Sequence, residues 1–593
     1  MVRGTFVSLS LAIGIAASSF FGPSGAAPVS ASFKPTRCFS APGLVEGSTM
    51  RCGTVQVPMV SGGKGVVTLF VTIVGSNSKG AKQAVFHLPG GPGASAESYA
   101  PILASTYLPL SEAVGKPIIF VDQRGTGRSK PFLECSDIAV PAKCSAAWAA
   151  AKIDPLAFTT PNAADDLAAV AGALGLSSID VWGASYGSRL ALETVRRHAN
   201  LVRSLVIESV DTSDSQLDDA QDILAALTRV GSECASNAAC NGVIPDLVAT
   251  TEATAKTLAT APLVTQLGII DTNMFLSDVS SLMEWSRGIS FVPAYIASVR
   301  DRDAAAAEAF RGVILSLPFP GGQFSEAMNR LVNCTDIAPF NAAAAMGRNA
   351  ASTENLLSQA RRAQTIEQYV KPCAGWPVDP TMTNQPVLSD VPTLVLTGAI
   401  DSNTPLENAQ FAASHLTNST IVTFPSTGHF AVHQGGTPCG ESILAAFFLE
   451  PAASVKTKCV GKAKPIEKLP LPLDASFQSA FITSLGFSAD VPEGWITLDH
   501  ATWRTAGGVV GFARAPGRIK DAIAAVASQV GLETVAPKQE MIGNLTWTQV
   551  SGPDTSLLFY QAKNSVVVLV VGLSNGGDVS TFAKRIARSI TSP

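Results

Sequence analysis

The chain has 593 residues, which is more than one hydrophobic core ordinarily organises, so we expect two or three domains. Hydrophobic residues make up 46% of it, charged residues 15%, and the net charge is −4. This composition excludes a disordered chain, and because no basic run or basic–aromatic stretch occurs, we expect no nucleic-acid partner.

The first residues are typical of a secretory signal peptide. Arg3 precedes an apolar run over residues 6–21, and small residues follow. We assign residues 1–31 to the signal, with cleavage after Ala27 or Ala31. The alternative is an N-terminal membrane anchor, but a span needs about 20 apolar residues and this run is shorter. The sequence therefore predicts a secreted or extracytoplasmic protein with no membrane span after cleavage.

Strand-like and helix-like segments alternate in two parts of the chain. The predicted strands are residues 66–74, 83–88, 117–121, 179–182, 202–208, 393–397 and 420–424, and the predicted helices are 163–174, 188–198 and 406–415. Alternation of this kind predicts a mainly parallel sheet that is covered by helices on both faces.

These patterns predict an α/β core with an inserted helical cap and a small C-terminal α+β domain. The interval between the two alternating parts is mostly helical and rich in alanine, which favours an insertion. After a linker, strand patterns dominate and helices stand apart. The predicted segments are the signal at 1–31, the core at 32–210 and 381–461, the cap at 211–380, the linker at 462–473 and the C-terminal domain at 474–593, whose role we leave unassigned.

The sequence Gly-Ala-Ser-Tyr-Gly at 183–187 lies between a predicted strand and a predicted helix. A sharp turn in that place presents the serine above the sheet, and the glycines let strand and helix approach closely. The helix N-terminus stabilises negative charge that develops there. The context predicts that Ser185 is a nucleophile, and the alternative is an exposed serine in an ordinary turn.

A serine nucleophile needs a base and an acid that orients the base. His429 follows the predicted strand 420–424, at the end where parallel sheets place ligands. His433 is the alternative base. Asp401 follows strand 393–397 and is the acid nearest to that end. We predict a Ser185–His429–Asp401 triad.

Acyl transfer also needs backbone donors for the oxyanion. One is the N–H of Tyr186, directly after the nucleophile. The other is expected from the Gly-rich sequence at 89–93, where Gly91 is our choice and Gly90 the alternative. A nucleotide-binding loop is excluded because no Gly-Lys-Ser/Thr follows.

The ten cysteines fit an oxidising compartment. No Cys-x-x-Cys occurs and no histidine lies at metal-ligand spacing, so we expect neither a metal nor a cofactor. Sequence alone leaves the connectivity open, and our hypothesis is pairing between neighbours: Cys38 with Cys52, Cys135 with Cys144, Cys234 with Cys240, Cys334 with Cys373, and Cys439 with Cys459.

Four motifs occur together in this chain: Pro-Gly-Gly-Pro-Gly at 89–93, Asp-Gln-Arg-Gly-Thr-Gly-Arg-Ser at 122–129, Gly-Ala-Ser-Tyr-Gly-Ser at 183–188 and the segment 398–405. In combination they resemble the prolyl aminopeptidase and tripeptidyl aminopeptidase family. Asn-Cys-Thr-Asp at 333–336, Cys-Ala-Gly-Trp-Pro at 373–377 and the Cys439/Cys459 pair are similar to its secreted tripeptidyl branch. The resemblance covers about residues 38–460 and implies an α/β-hydrolase fold. Pro89 departs from the family, because prolyl aminopeptidases carry histidine there, so a preference for N-terminal proline is not implied.

The resemblance implies a secreted serine exopeptidase that cleaves peptides from the N-terminus through an acyl-enzyme. Such an enzyme must bind the substrate ammonium, and Glu208, Asp211 and Glu284 are candidates. Two alternatives stay open. One is an esterase or other acyl hydrolase that uses the same triad on a small acyl substrate, and the other is a non-catalytic binding protein on the same fold.

Overall fold

The computed structural model describes most of the chain that follows the predicted signal peptide. It describes residues 32–590 except 61–64, 76–79, 213–219, 266, 287, 317–323, 338–355, 357–358, 360–365, 378–382, 384, 433–437, 462–476, 483–486, 493–495, 500–501, 506–507, 531, 533, 554, 564 and 574–578. The predicted signal peptide, the predicted linker 462–473 and the alternative base His433 lie outside the described residues.

Residues 32–460 contain one large sheet and a short hairpin. In chain order the strands are β1 Lys34–Thr36, β2 Met50–Pro58, β3 Val66–Val74, β4 Gln83–Leu88, β5 Ile118–Asp122, β6 Ser178–Ala184, β7 Val202–Glu208, β8 Leu263–Thr265, β9 Gly268–Ile270, β10 Thr393–Gly398 and β11 Ser419–Phe424. Nine of them form the sheet in the order β1-β2-β3-β5-β4-β6-β7-β10-β11. The pairs from β5 to β11 are parallel, whereas β1, β2 and β3 pair antiparallel at one edge.

The central strands are apolar because helices cover both faces of the sheet. Every residue of β5 and of β10 is buried. Adjacent residues of one strand enter different cores: Val181 belongs to the cluster on one face, and Trp182 belongs to the cluster on the other. A strand buried on both sides is read as a continuous apolar run, and this is why the sequence predicts these strands well.

The helices of this part surround the sheet and build the cap. They are α1 Leu108–Val114, α2 Pro141–Ala150, α3 Thr160–Ala173, α4 Tyr186–His198, α5 Ala220–Ser236, α6 Ala238–Val243, α7 Leu247–Thr260, α8 Thr272–Glu284, α9 Val292–Arg300, α10 Ala304–Ser316, α11 Glu326–Val332, α12 Leu406–Ser414 and α13 Pro438–Leu449. Short 3-10 or π-helical turns are Ala96–Ile102, Leu103–Tyr107, Pro155–Ala157, Ile289–Phe291, Asn333–Ile337, Ile366–Val370 and Lys371–Cys373.

The cap has its own hydrophobic core, formed by helices α5 to α10. Phe275, Tyr295 and Phe310 are buried in it, and Ile400 from the loop after β10 joins the same cluster. The loop that carries Asp401 is thus packed into the cap. The hairpin of β8 and β9 was not predicted, because its strands have three residues each and Val264 and Ile269 are exposed.

The C-terminal part forms a separate sheet-rich domain. Its strands are β12 Phe477–Ile482, β13 Phe487–Pro492, β14 Ile496–Asp499, β15 Thr502–Thr505, β16 Gly508–Pro516, β17 Lys538–Ile542, β18 Leu545–Ser551, β19 Thr555–Gln561 and β20 Ser565–Leu573, and its helices are α14 Ile519–Gln529 and α15 Val579–Ser589. Seven strands form one antiparallel sheet, and β12 pairs with β13. Two hydrophobic clusters lie within this domain and share no residue with those of the preceding part.

Five disulfides join sequence neighbours in the structure. The bonds are Cys38–Cys52, Cys135–Cys144, Cys234–Cys240, Cys334–Cys373 and Cys439–Cys459. Bonds of this number are typical of proteins from oxidising compartments. Among the described residues, no helix combines the length and apolarity that crossing a bilayer would require.

Candidate active site

Ser185 lies in a strained turn between β6 and α4. Its backbone has φ 55° and ψ −130°, a combination that L residues rarely adopt and that costs on the order of 1–3 kcal/mol. The turn needs glycine on both sides: a Cβ on Gly187 would lie 2.0 Å from the Leu88 oxygen, and one on Gly183 would lie 2.1 Å from the Gly187 oxygen. The serine side chain is partly exposed, while its neighbours in the turn are buried.

His429 and Asp401 form a buried, hydrogen-bonded pair. The distance from His429 Nδ1 to Asp401 Oδ2 is 2.9 Å, and both side chains are almost inaccessible to water. The other oxygen, Asp401 Oδ1, accepts the N–H groups of Asn403 and Thr404 at 2.9 Å each. Because the carboxylate is held by its own loop, it can fix the orientation of the ring, and with a proton on Nδ1 the other ring nitrogen, Nε2, can accept one.

Thr404 was not predicted from the sequence, yet its hydroxyl contacts both members of the pair. Thr404 Oγ1 lies 2.8 Å from Asp401 Oδ2 and 3.0 Å from His429 Nδ1. The sequence does contain a signal for this contact, because Thr404 comes three residues after Asp401 in a loop. Asp, Ser and Thr at such spacing often form local side chain–backbone hydrogen bonds.

The charges around His429 favour its protonated form. Burial by itself would lower the pKa of His429, but the negative charges of Asp401, Glu284 and Glu208 and the hydrogen bond to Asp401 raise it above its ordinary value. A base with a raised pKa is a stronger proton acceptor once it is neutral.

The sheet order brings the three loops to one edge. Strands β6, β7, β10 and β11 are parallel neighbours, and Ser185, Asp401 and His429 follow β6, β10 and β11 respectively. Within the described part of the chain, no hydrogen bond joins Ser185 Oγ to His429 Nε2. Such bonds are often long before substrate binds.

The Gly-rich loop lies against the nucleophile. A Cβ on Gly90 would lie 2.8 Å from Ser185 Cβ, so only glycine fits there. The Gly90 backbone hydrogen-bonds the Tyr99 hydroxyl, whereas Gly91 is exposed and has φ 116°. Gly91, with Gly90 as the alternative, stays the predicted oxyanion donor of this loop beside Tyr186, which begins helix α4.

The three acidic residues considered for ammonium binding have different surroundings. Glu208 is 0% exposed. Asp211 forms an ion pair with Arg189 at 2.7 Å. Glu284, at the end of cap helix α8, is partly exposed, and its carboxylate lies 3.5 Å from Asn403 Nδ2 beside the Asp401 loop. Among the described residues, no cluster of histidine, cysteine or acidic side chains is arranged to hold a metal ion.

Comparisons with known proteins agree with this architecture. Residues 83–229 match a family model described as α/β hydrolase fold, and residues 358–459 match one described as TAP-like protein. The chain therefore has an α/β-hydrolase fold. The first match includes Ser185 and Gly91, and the second includes Asp401 and His429. The predicted fold class and the predicted family resemblance are therefore confirmed.

Curated and solved proteins similar to this hydrolase were also found. The serine protease Hip1 of Mycobacterium tuberculosis and of Mycobacterium bovis is 23% identical over 322 residues, or 48% of this chain. The chain spans 58% of the length of these relatives.

Solved structures include a proline iminopeptidase from Mycobacterium smegmatis, 18% identical, covering 67% of this chain and 98% of that one with a TM-score of 0.30. An esterase from Exiguobacterium antarcticum is 15% identical, covering 64% and 96% with a TM-score of 0.29.

Proposed function

We propose that this hydrolase is a secreted serine exopeptidase that removes residues from the N-terminus of peptides. The observation that carries the proposal is the buried hydrogen bond between His429 and Asp401, on loops next to the strained turn of Ser185. The similarity to a serine protease supports a peptide substrate. The five disulfides support secretion.

The mechanism follows from the roles of these groups. His429 Nε2 takes the proton of Ser185 Oγ as the oxygen attacks the scissile carbonyl carbon. The tetrahedral oxyanion receives hydrogen bonds from the N–H groups of Tyr186 and Gly91, helped by the N-terminus of helix α4. Protonated His429, stabilised by Asp401, then gives the proton to the leaving amine. An acyl-enzyme remains on Ser185, and a water molecule activated by His429 hydrolyses it.

In this proposal, Glu284 binds the ammonium group of the substrate. Of the three candidates, Glu208 is enclosed in the core and Asp211 is paired with Arg189, while Glu284 reaches the edge of the site from the cap. A charged hydrogen bond of this kind contributes about 1.5–3 kcal/mol.

The nucleophile is tested by covalent labelling with a fluorophosphonate. Ser185→Ala should abolish labelling and turnover without unfolding the chain, because alanine keeps the Cβ and removes only the hydroxyl. Ser177→Ala is the matched control, because this exposed serine directly precedes β6, at the opposite end of that strand from Ser185. Labelling of a folded S185A variant at the normal rate would contradict the proposed chemistry, and a chain that never labels would indicate a non-catalytic binding protein.

The scissile bond and the direction are tested with substrates. Aminoacyl and tripeptidyl anilides with a free N-terminus should exceed their N-acetylated analogues in kcat/KM by roughly ten- to a hundredfold. Glu284→Gln should remove this preference, while Glu326→Gln, at an exposed cap glutamate, should keep it. Equal rates for both substrate forms, with faster turnover of short p-nitrophenyl esters, would instead identify an esterase.

A further inference from the structure

The backbone of the His429 loop is anchored from the cap on one side. Gly428 donates its N–H to Ser286 Oγ at 3.1 Å, and His429 donates its own to the Glu284 carbonyl at 2.5 Å. The cap segment that follows α8 therefore fixes the N-terminal half of the loop.

The end of strand β7 anchors the other half. Phe430 donates its N–H to Ser209 Oγ at 2.8 Å, and Val432 donates its N–H to Glu208 Oε1 at 2.6 Å. Both acceptors are completely buried. Two side chains of one strand end thus hold the residues directly after the base.

The same strand end also holds the nucleophile and the sheet beside it. Ser185 donates its N–H to the Glu208 carbonyl at 2.9 Å, and Ser209 donates its N–H to the Leu396 carbonyl at 3.0 Å. Ser209 has φ 50°, a strained conformation for a serine, which aims its hydroxyl at the loop. Strain at a buried polar residue persists where surrounding contacts require it.

The Glu208 carboxylate lies among buried aromatic side chains. Trp182 Nε1 donates to its Oε2 at 3.1 Å. Burial, with a contribution from the Glu208 charge, raises the pKa of Tyr99 and of Tyr107 well above the usual range. His87 packs behind Trp182 with its Nε2 at 3.2 Å from the Tyr107 hydroxyl.

His429 is the group near Glu208 whose titration affects the reaction. The charges that act on His429 come from Asp401 in its own pair, from Glu284 in the cap and from Glu208 beneath the loop. Asp401 contacts the ring, whereas Glu208 contacts the backbone three residues further along.

We propose that Glu208 and Ser209 are positioning residues for the reaction: their hydrogen bonds join the Ser185 turn to the His429 loop, and Glu208 places a second buried carboxylate beneath that loop. This inference rests on the proposed function, because it assumes that His429 is the base. Glu208 acts through the loop backbone and through its charge and is not expected to touch substrate. Ser209 acts through its hydrogen bond alone.

Four variants separate the charge from the hydrogen bonds. Glu208→Gln removes the charge and keeps the shape, while Glu208→Asp keeps the charge. Ser209→Ala removes one anchor without changing charge. Ser204→Ala is the matched control, since this buried serine is on the same strand but bonds Asp180 at its other end.

The readout is the rate of fluorophosphonate labelling of the full chain across pH, with circular dichroism as a check of folding. At acidic pH the labelling rate should fall as His429 becomes protonated, and we call this part of the profile the acid limb. In E208Q we expect the acid limb to move to lower pH, because the negative charge that stabilises the His429 imidazolium is lost. E208D should keep the limb of the unchanged protein. S209A should lower the plateau roughly three- to tenfold without moving the limb, as expected for one lost hydrogen bond. S204A should change neither.

An acid limb of folded E208Q that coincides with that of the unchanged protein would overturn the proposal. A plateau of S209A equal to that of S204A would also overturn it, and S209A decides alone if E208Q does not fold. S185A labelled in parallel keeps the two ideas apart. If S185A is silent and E208Q behaves normally, only this inference fails, whereas labelling of S185A removes the proposed function itself.

Discussion

At the scale of single residues, a substitution of Thr404 tests how much its hydroxyl contributes to the orientation of the Asp401–His429 pair. Thr404→Val removes the hydroxyl that contacts both side chains and keeps the shape. We expect kcat to fall roughly three- to tenfold with little change in KM, because the lost bond orients the base and does not bind substrate. Steady-state kinetics on a peptide anilide measures both constants.

Thr404→Ser is the control, since it keeps the hydroxyl. A valine variant with the kcat of the serine variant would show that packing, and not the hydrogen bond, is what Thr404 contributes.

His429 sets the expected pH dependence. In the proposed mechanism His429 must be neutral to accept the Ser185 proton, so kcat/KM should rise with pH through the pKa of His429. Burial opposes the shift, but the charges of Asp401, Glu284 and Glu208 raise this pKa above 6.5. The acid limb of a kcat/KM profile should therefore have its midpoint above 6.5. A midpoint at or below that value would show that the neighbouring charges do not dominate.

At the scale of elements, strand β5 ends at a buried acid, Asp122, that makes stability depend on pH. Burial raises the pKa of Asp122 to about 6, although the N–H groups of Arg128 and Ala96 hydrogen-bond its carboxylate and partly offset this. Between pH 3.8 and about 6 the folded chain therefore binds more protons at this site than the unfolded chain. The contribution of Asp122 to stability should therefore fall as pH rises through this window, by about 3 kcal/mol in total.

This prediction is tested by comparing the unfolding free energies of the natural chain and Asp122→Asn. The stability of the natural chain relative to the variant should decline from pH 4 to pH 6 and then level off. Asp137→Asn is a control of opposite sign, since the hydrogen bond from Lys143 lowers the pKa of Asp137. A difference between natural chain and D122N that is independent of pH would refute the assignment.

The elements also show what a sequence can reveal. Strands buried on both faces, such as Val202–Glu208 and Val66–Val74, are predicted with their observed bounds because apolar runs mark them. The strand Lys34–Thr36 is not predicted, since it is exposed and carries polar residues.

The site follows the same logic. The turn at Ser185 is a local pattern of five residues, so it can be read directly. The Ser209 hydroxyl instead accepts a hydrogen bond from a residue 221 positions away, and that contact exists only because the segments after β7 and β11 leave the same edge of the sheet. Spacing along the chain does not encode it.

At the scale of the whole molecule, the separate hydrophobic clusters predict that the C-terminal domain is not needed for the chemistry. The three clusters of the hydrolase part use described residues up to 460, and the two C-terminal clusters begin at residue 482. A chain that ends at residue 461 should fold and label with a fluorophosphonate at the rate of the full chain.

Helix α10 of the cap contacts strand β15. Removal of the C-terminal domain would therefore take away a packing contact of the cap. A folded truncated chain that no longer labels would show that the C-terminal domain supports the active site through this contact.

The disulfides bear on how the molecule is made. Each bond joins a cysteine to the next one along the chain, with separations of 6 to 39 residues. A chain that enters an oxidising compartment with its N-terminus first can close each bond before the following cysteine pair arrives. At most two thiols then stand unpaired at any moment, so thiol–disulfide exchange has no wrong partner to select. The order of translation itself would specify the connectivity, without a step that reshuffles mispaired bonds.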